Sequence, residues 1–404
     1  MSKLPLEGIR VVDFTWVLSG PTCTAWLGAL GAEVIKIEST TRPDTTRVGT
    51  AGGFQGVGGL NRMATFNILN YGKKSLTLNM KNPKAIEIVK EIIKKSDVVV
   101  DSYSYGVMER FCLSYPELKE LKPDLVVLSK STLGRTGPEK HVFGFGTTAL
   151  SYTGLPSITG YLGGEPRMVG GTWPDYVLGG HSAFSIMVAL HHRQKTGEGQ
   201  YIDFSMVEAA SAMIPEALLE YTMNGRVLEP QGNWDDAVAP HNVYRCKGED
   251  KWVAIAATNE DEWRALCRAI GHPEWIADER FADAYSRLKH REELDPLIEE
   301  WTQERTHVEA TEILQAAGVP AGPSYNVEDL VNDPHLKERG FFIELTHPET
   351  GTTLAPALPL RYSTIVPRYL PAPLIGEHNQ YVLGEILGLG QEEIQQLMIE
   401  EVVL

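Results

Sequence analysis

Ile9-Arg10-Val11-Val12-Asp13-Phe14 is a short apolar run, followed by a turn over Trp16–Pro21 and a helical pattern over Thr22–Leu30. A second run of the same kind, Ala32-Glu33-Val34-Ile35-Lys36-Ile37, comes directly after it. Strand, helix and strand in this order, with a helix-length connection, predict a parallel pair rather than a hairpin. The pattern then repeats. Ile86, Val89 and Ile93 stand at helical spacing within 83–95, and Asp97-Val98-Val99-Val100 and Leu125-Val126-Val127-Leu128 are strand-like. The fold class is therefore α/β, with a Rossmann-like parallel sheet.

Such a sheet does not name its ligand. The turn after the first run reads Thr15-Trp16-Val17-Leu18-Ser19-Gly20-Pro21, without the G-x-G-x-x-G of a dinucleotide site. Gly52-Gly53-Phe54-Gln55-Gly56-Val57-Gly58-Gly59 lacks the Lys-Ser/Thr ending of a P-loop. That stretch reads either as a surface connection or as a lid over a substrate. The net charge of −16 over 404 residues disfavours nucleic acid and anionic membrane as partners. Cys23, Cys112, Cys246 and Cys267 have neither metal-site spacing nor disulfide density. No run reaches the roughly 18 apolar residues of a membrane span. Met1–Glu7 lacks the apolar core of a secretory signal, so a cytoplasmic location is expected.

Helical patterns cover Leu178–Gln194 and Val207–Met223, and the composition changes near residue 225. From there to about 325 the segments are shorter: a strand at Trp252–Ala256, then helices at 260–270, 287–302 and 307–317. This predicts a smaller inserted α+β domain over 225–325 within a large domain of 1–224 and 326–404. A proline-rich extended stretch to about 376 and a helix over Gln380–Leu387 close the chain.

Asp175 lies in Gly171-Thr172-Trp173-Pro174-Asp175-Tyr176, ahead of Gly179-Gly180. An aspartate there serves as a helix cap. From spacing the cap is the ordinary reading; the chemistry is still available, since a carboxylate beside glycine-rich backbone can attack a thioester while nearby N–H groups hold the oxyanion. Lys73, Lys74, Lys81 and Arg110 read singly as surface charges, and together, at strand ends, as phosphate contacts. His191-His192 reads as a helix-end pair, without a metal-ligand pattern. Glu377-His378 reads as an acid–base pair or a loop hydrogen bond.

Six segments in order carry a more specific signal. They are Leu6–Phe14, Gly31–Glu38, Gly134-Arg135-Thr136-Gly137-Pro138, Lys195-Thr196-Gly197-Glu198-Gly199-Gln200, Gly318–Pro323 and Pro373-Leu374-Ile375-Gly376-Glu377-His378. Together they resemble the class III CoA-transferase family (CaiB/BaiF type), nearly end to end. The resemblance implies a ring-shaped subunit in an interlocked dimer, either a homodimer or a heterodimer with a related subunit. It also implies coenzyme A thioesters as substrates, no permanently bound cofactor and no metal. The aspartate that forms an acyl anhydride and then a CoA thioester falls at Asp175. CoA contacts fall at Val17, Arg47, Leu78, Lys81, Tyr103 and Arg110. Ser102 and Ser39 stand where the family often has asparagine and arginine, with Arg42 a substitute for the latter.

The acyl pocket falls at Leu18, Phe143 and Phe145, with Gly146 beside them, where formyl-transferring members carry polar groups. An apolar pocket desolvates formate or oxalate poorly. The expected acceptor is therefore bulky or aromatic, such as benzylsuccinate, with succinyl-CoA as donor, in aromatic acid catabolism. The rival readings are an α-methylacyl-CoA racemase and a non-catalytic subunit of a heteromeric transferase. Gly144-Phe145-Gly146 replaces the racemase Gly-His-Asp, which removes the proton carriers that racemisation needs.

Overall fold

The computed structural model describes residues 3–49, 58–170 and 172–404. The chain divides into two compact units. One comprises Met1–Leu155, Val169–Asn224 and Gly340–Leu404, and the other Pro156–Met168 and Gly225–Arg339. Residues 156–168 and 326–339 thus group with the smaller unit, not with the two large-domain segments expected from sequence.

The larger unit holds six parallel strands: β1 (Arg10–Phe14), β2 (Glu33–Glu38), β3 (Lys74–Thr77), β4 (Val98–Asp101), β5 (Val126–Ser131) and β6 (Tyr201–Ser205). Their order is β3-β2-β1-β4-β5-β6. This is the doubly wound order, which reverses direction between β1 and β4 and opens a crevice beyond their C-terminal ends. Alternate residues face opposite sides of the sheet. Val11, Val98, Val100, Val126 and Leu128 pack with α1 (Ser19–Ala29) and α3 (Trp173–Thr196). Val12, Ile35, Leu76, Val99 and Val127 pack with α2 (Pro83–Lys94) and with Val382, Leu383 and Ile394 of the C-terminal segment.

Local chemistry explains these elements. Helix α2 starts at Asn82, whose side chain accepts the Lys84 N–H, with Pro83 in its first turn. Its Ala85, Val89, Ile92 and Ile93 are fully buried on one stripe; each of the larger three contributes about 1.5–3 kcal/mol. Helix α3 stops where Gly197 takes φ 79° and its N–H returns to the Arg193 carbonyl. Two residues on, a β-carbon at Gly199 would lie 2.2 Å from the Leu125 carbonyl oxygen, so only glycine lets the chain re-enter the sheet there.

The free edge of β3 is covered by the chain's last segment. His378 N–H donates to the Ser75 carbonyl at 3.0 Å, and Thr77 N–H to Asn379 Oδ1 at 2.9 Å. Covering an edge in this way removes a template for wrong pairing. His378 Nδ1 accepts the Ser75 N–H at 3.3 Å and Glu377 accepts the Leu374 N–H at 2.7 Å, so both side chains make loop hydrogen bonds.

The region expected to be one helix, Val207–Met223, is two: Met206–Ser211 and α4 (Pro215–Asn224). Pro215 has no N–H to continue the first and opens the second. The proline-rich stretch holds an antiparallel hairpin, Phe342–His347 with Gly351–Pro356, and the expected helix over Gln380–Leu387 is a π-helical turn at Tyr381–Ile386. The smaller unit is a three-stranded antiparallel sheet, His241–Arg245, Trp252–Ala256 and Ala321–Ser324, around a core that includes Trp263, Phe281, Leu294 and Leu314. Among the described residues no helix is long and apolar enough to cross a membrane.

Candidate active site

The crevice between β1 and β4 is built by the turn that leaves β1. Trp16 N–H donates to Ser102 Oγ at 2.9 Å, and Val17 N–H to Asp44 Oδ1 at 3.3 Å. The first bond ties the end of β1 to the end of β4, and the second ties the turn to the loop that follows β2. Val17 sits at φ 72°, a left-handed conformation that a β-branched residue adopts only under constraint. Tyr103, just past β4, meets Trp16 edge-on at 5.9 Å and Phe111 at 6.4 Å. Arg42 lies over the other aromatic wall, 5.4 Å from the Trp16 ring.

The predicted ligand contacts separate into two groups. Val17, Tyr103, Leu78, Lys81 and Arg110 all follow the C-terminal ends of β1, β3 or β4, with Lys81 and Arg110 exposed and Leu78 fully buried. Arg47 also lies beyond the C-terminal end of a strand, β2, but differs from them in its partners. It is buried, and its Nε and Nη2 each donate to Glu38 at 2.8 Å. Nη1 donates to the Leu60 carbonyl and Asn61, and Nη2 also to the Pro373 carbonyl. All five guanidinium donors are therefore taken. Lys73 and Lys74 lie at the N-terminal end of β3, where Lys73 is buried against Asp13 at 3.0 Å. The glycine stretch 52–57 lies outside the described residues.

Asp175 stands in the first turn of α3 and is 6% exposed. Among the described residues its carboxylate accepts no hydrogen bond, and the residue before the helix, Thr172, makes no side-chain cap. An aspartate acting as a cap spends an oxygen on backbone N–H groups; this one keeps both. Helix α3 crosses α1 closely enough that a β-carbon on Gly179 would lie 2.9 Å from the Ser19 carbonyl oxygen. That approach sets Asp175 beside the start of α1. Burial pushes its pKa up to about 6, against the pull of Lys130.

Lys130 is a residue that sequence reasoning passed over. It is the penultimate residue of β5, 2% exposed, and donates to Ser19 Oγ and, at 3.2 Å, to Ser182 Oγ. Its ammonium also lies 4.6 Å from the Phe204 ring centroid. Burial lowers its pKa to about 7. The signal was a lone lysine in Val126-Val127-Leu128-Ser129-Lys130-Ser131, a strand whose other residues are apolar or small.

The expected acyl-pocket residues differ in exposure. Leu18 is buried at the start of α1, whereas Phe143 and Phe145 are 67% and 54% exposed, their rings edge-to-face at 5.4 Å. The segment leading to them is anchored by Arg135, which bonds Asp101 through its side chain and Asp203 Oδ1, at 2.7 Å, through its N–H. The Gly134–Pro138 motif thus fastens the loop beyond β5 to β4 and β6.

Residues 6–379 match the model of CoA-transferase family III. The succinyl-CoA–D-citramalate CoA-transferase of Chloroflexus aurantiacus is 30% identical, over 99% of this chain and 98% of that protein. The formyl-CoA:oxalate CoA-transferase of Rhodopseudomonas palustris is 31% identical, over 97% of this chain and 95% of that one. Among solved structures, a CaiB/BaiF family protein from Brucella suis superposes with a TM-score of 0.85 at 30% identity, covering 95% of this chain and all of that one.

Proposed function

Because the chain belongs to CoA-transferase family III and is an enzyme of that class, we propose that Asp175 is the carboxylate on which it moves CoA from one acid to another. The observation that carries this is a buried carboxylate, free of protein hydrogen bonds among the described residues, beside the start of α1. In the first step a carboxylate oxygen attacks the donor thioester carbonyl and the C–S bond breaks. This gives a mixed anhydride and CoA thiolate. The thiolate attacks the Asp175 carbonyl, expelling the donor acid and leaving an aspartyl-CoA thioester. The acceptor carboxylate repeats the exchange, and its acyl-CoA departs as Asp175 is regenerated. Thioester energy is conserved, and the anhydride requires a site from which water is excluded.

Val17, Tyr103, Lys81 and Arg110 are proposed to hold the CoA moiety, the last two at phosphates and Tyr103 at the adenine. Leu78 supplies apolar backing. Arg47 fits a structural role better, since a phosphate would have to displace a partner that it already holds. Succinyl-CoA, named as donor for the Chloroflexus relative, is the donor we propose. The acceptor is an acid with a bulky or aromatic arm, such as benzylsuccinate, received by Phe143 and Phe145. Phe184 and Val188 of α3 and Leu219, Tyr221 and Met223 of α4 are exposed. Exposed apolar side chains such as these are available to an assembly contact, and the proposed partner is a second copy or a related subunit in an interlocked dimer.

The experiment is incubation with succinyl-CoA, trapping by hydroxylamine, and peptide mass spectrometry. The expected product is a hydroxamate on Asp175. Full transfer by Asp175→Ala would overturn the assignment.

A further inference from the structure

Lys36, Lys73 and Lys130 are all buried in or beside the parallel sheet. Two of them are neutralised: Lys36 lies 3.2 Å from Asp44 and Lys73 lies 3.0 Å from Asp13. Lys130 is held differently. Its partners are the hydroxyls of Ser19 and Ser182 and the face of Phe204. Hydroxyls solvate an ammonium without cancelling its charge, and among the described residues no carboxylate lies within ion-pair distance of it. A buried cation left in this state is costly, and its field reaches farther than it would in water.

We propose that Lys130 is a positioning residue for the transfer reaction: its solvated but unneutralised ammonium holds the buried Asp175 in the ionised form that attacks the thioester. This rests on Asp175 being the nucleophile. The elements around Lys130 leave few other charges to act on it. Helix α1 contributes Ser19 and the Cys23 thiol, α3 contributes Ser182 and Asp175, and β6 contributes Phe204. Asp13 and Lys73 act on Cys23 and are paired with one another. Among the described residues Lys130 is the charged group that pulls on Asp175. Once Asp175 is acylated its negative charge is gone, and the same field then favours the departing thiolate or carboxylate.

The test is the pH dependence of kcat/KM for succinyl-CoA, measured for the wild type and for Lys130→Met, which keeps length and removes charge. The acid limb is expected to move up by about one pH unit, so that the variant is about tenfold slower at pH 5.5 and converges on the wild type by about pH 9. A purely structural lysine would lower the rate evenly across the range. Ser182→Ala, which removes one hydroxyl from the ammonium, is expected to shift the limb in the same direction by less. It stands in should Lys130→Met fail to fold. Hydroxylamine trapping is run alongside. A hydroxamate on Asp175 with acid limbs that coincide overturns the role of Lys130. Absence of that hydroxamate in the wild type overturns Asp175 as nucleophile instead.

Discussion

Arg47 grips Glu38 through two bonds of 2.8 Å, and both side chains are essentially sealed from solvent. The Arg47 guanidinium also lies 3.5 Å from the Phe66 ring centroid. Breaking a buried pair by removing one partner strands the other charge. Arg47→Met should therefore lower folding stability by about 3–5 kcal/mol. Urea unfolding of the variant measures this. A normal unfolding midpoint combined with a raised KM for acyl-CoA would instead make Arg47 a ligand contact.

Asp175 is held protonated to higher pH in the fold than in the open chain. Its pKa is 3.8 when unperturbed and about 6 in the native site, because burial penalises the charge. Below pH 3.8 both states carry the proton and no penalty arises. As pH rises toward 6 the unfolded chain ionises first, and native stability falls; above 6 the loss is complete. Asp175→Asn should thus unfold later than wild type by about 1–3 kcal/mol at pH 8, with no difference near pH 3.5. Its transfer rate should drop by about a thousandfold or more, as for loss of a covalent nucleophile. Calorimetry at the two pH values checks the first statement and a thioester exchange assay the second.

Gly179 faces Thr22, and a β-carbon added there would lie 2.8 Å from the Thr22 Cβ and 2.9 Å from the Ser19 carbonyl oxygen. The backbone oxygen cannot rotate away as a side chain could. Gly179→Ala should push α3 off α1, costing about 1–3 kcal/mol, and move Asp175 with it. The expected kinetic result is a fall in kcat greater than the change in KM. A Gly179→Ala enzyme with wild-type kcat would contradict the close helix crossing.

Phe143 and Phe145 offer large, accessible aromatic faces. If they receive an aromatic acceptor, Phe145→Ala should cut kcat/KM for benzylsuccinate by about 10–200-fold. For a small acid such as acetate it should change by less than about threefold. Equal losses for both acids would argue against these rings as the source of selectivity.

Val17 carries its φ of 72° with a branched side chain. Val17→Gly should relieve that conformation and change stability by less than about 1 kcal/mol, since the added freedom of the unfolded chain offsets the relief. The turn at the crevice should nevertheless hold CoA less firmly. A raised KM at near-constant kcat is the expected signature, measured at saturating acceptor.

The central strands were legible in the sequence and the two edge strands were not. Strands β1, β2, β4 and β5 are apolar runs because both faces are covered, which writes a near-continuous hydrophobic signal. Strands β3 and β6 are the edges of the sheet. β3 alternates Ser75 and Thr77 with apolar neighbours because those hydroxyls bond Gly376 and Asn379. That reason lies some 300 positions away in the chain, where no local pattern can show it. The site was legible to the same degree. Asp175 stood out through the order of motifs around it. Lys130 looked like the tail of an ordinary strand, since nothing local says that Ser19 and Ser182 will solvate it. Arg47 was visible as a basic residue, but its union with Glu38 was not.

The long-range cover over β3 also bears on how the chain is made. Strand β3 leaves the ribosome some 300 residues ahead of Gly376–Asn379, which cover it. At synthesis rates of about 5–20 residues per second, the flank of β3 stays open for tens of seconds after its neighbours have paired. During that interval the nascent chain presents an unsealed edge to other chains on the same message. Chaperone dependence during overexpression is therefore expected to ease when the C-terminal segment is supplied early, as in a circular permutant that begins near residue 370.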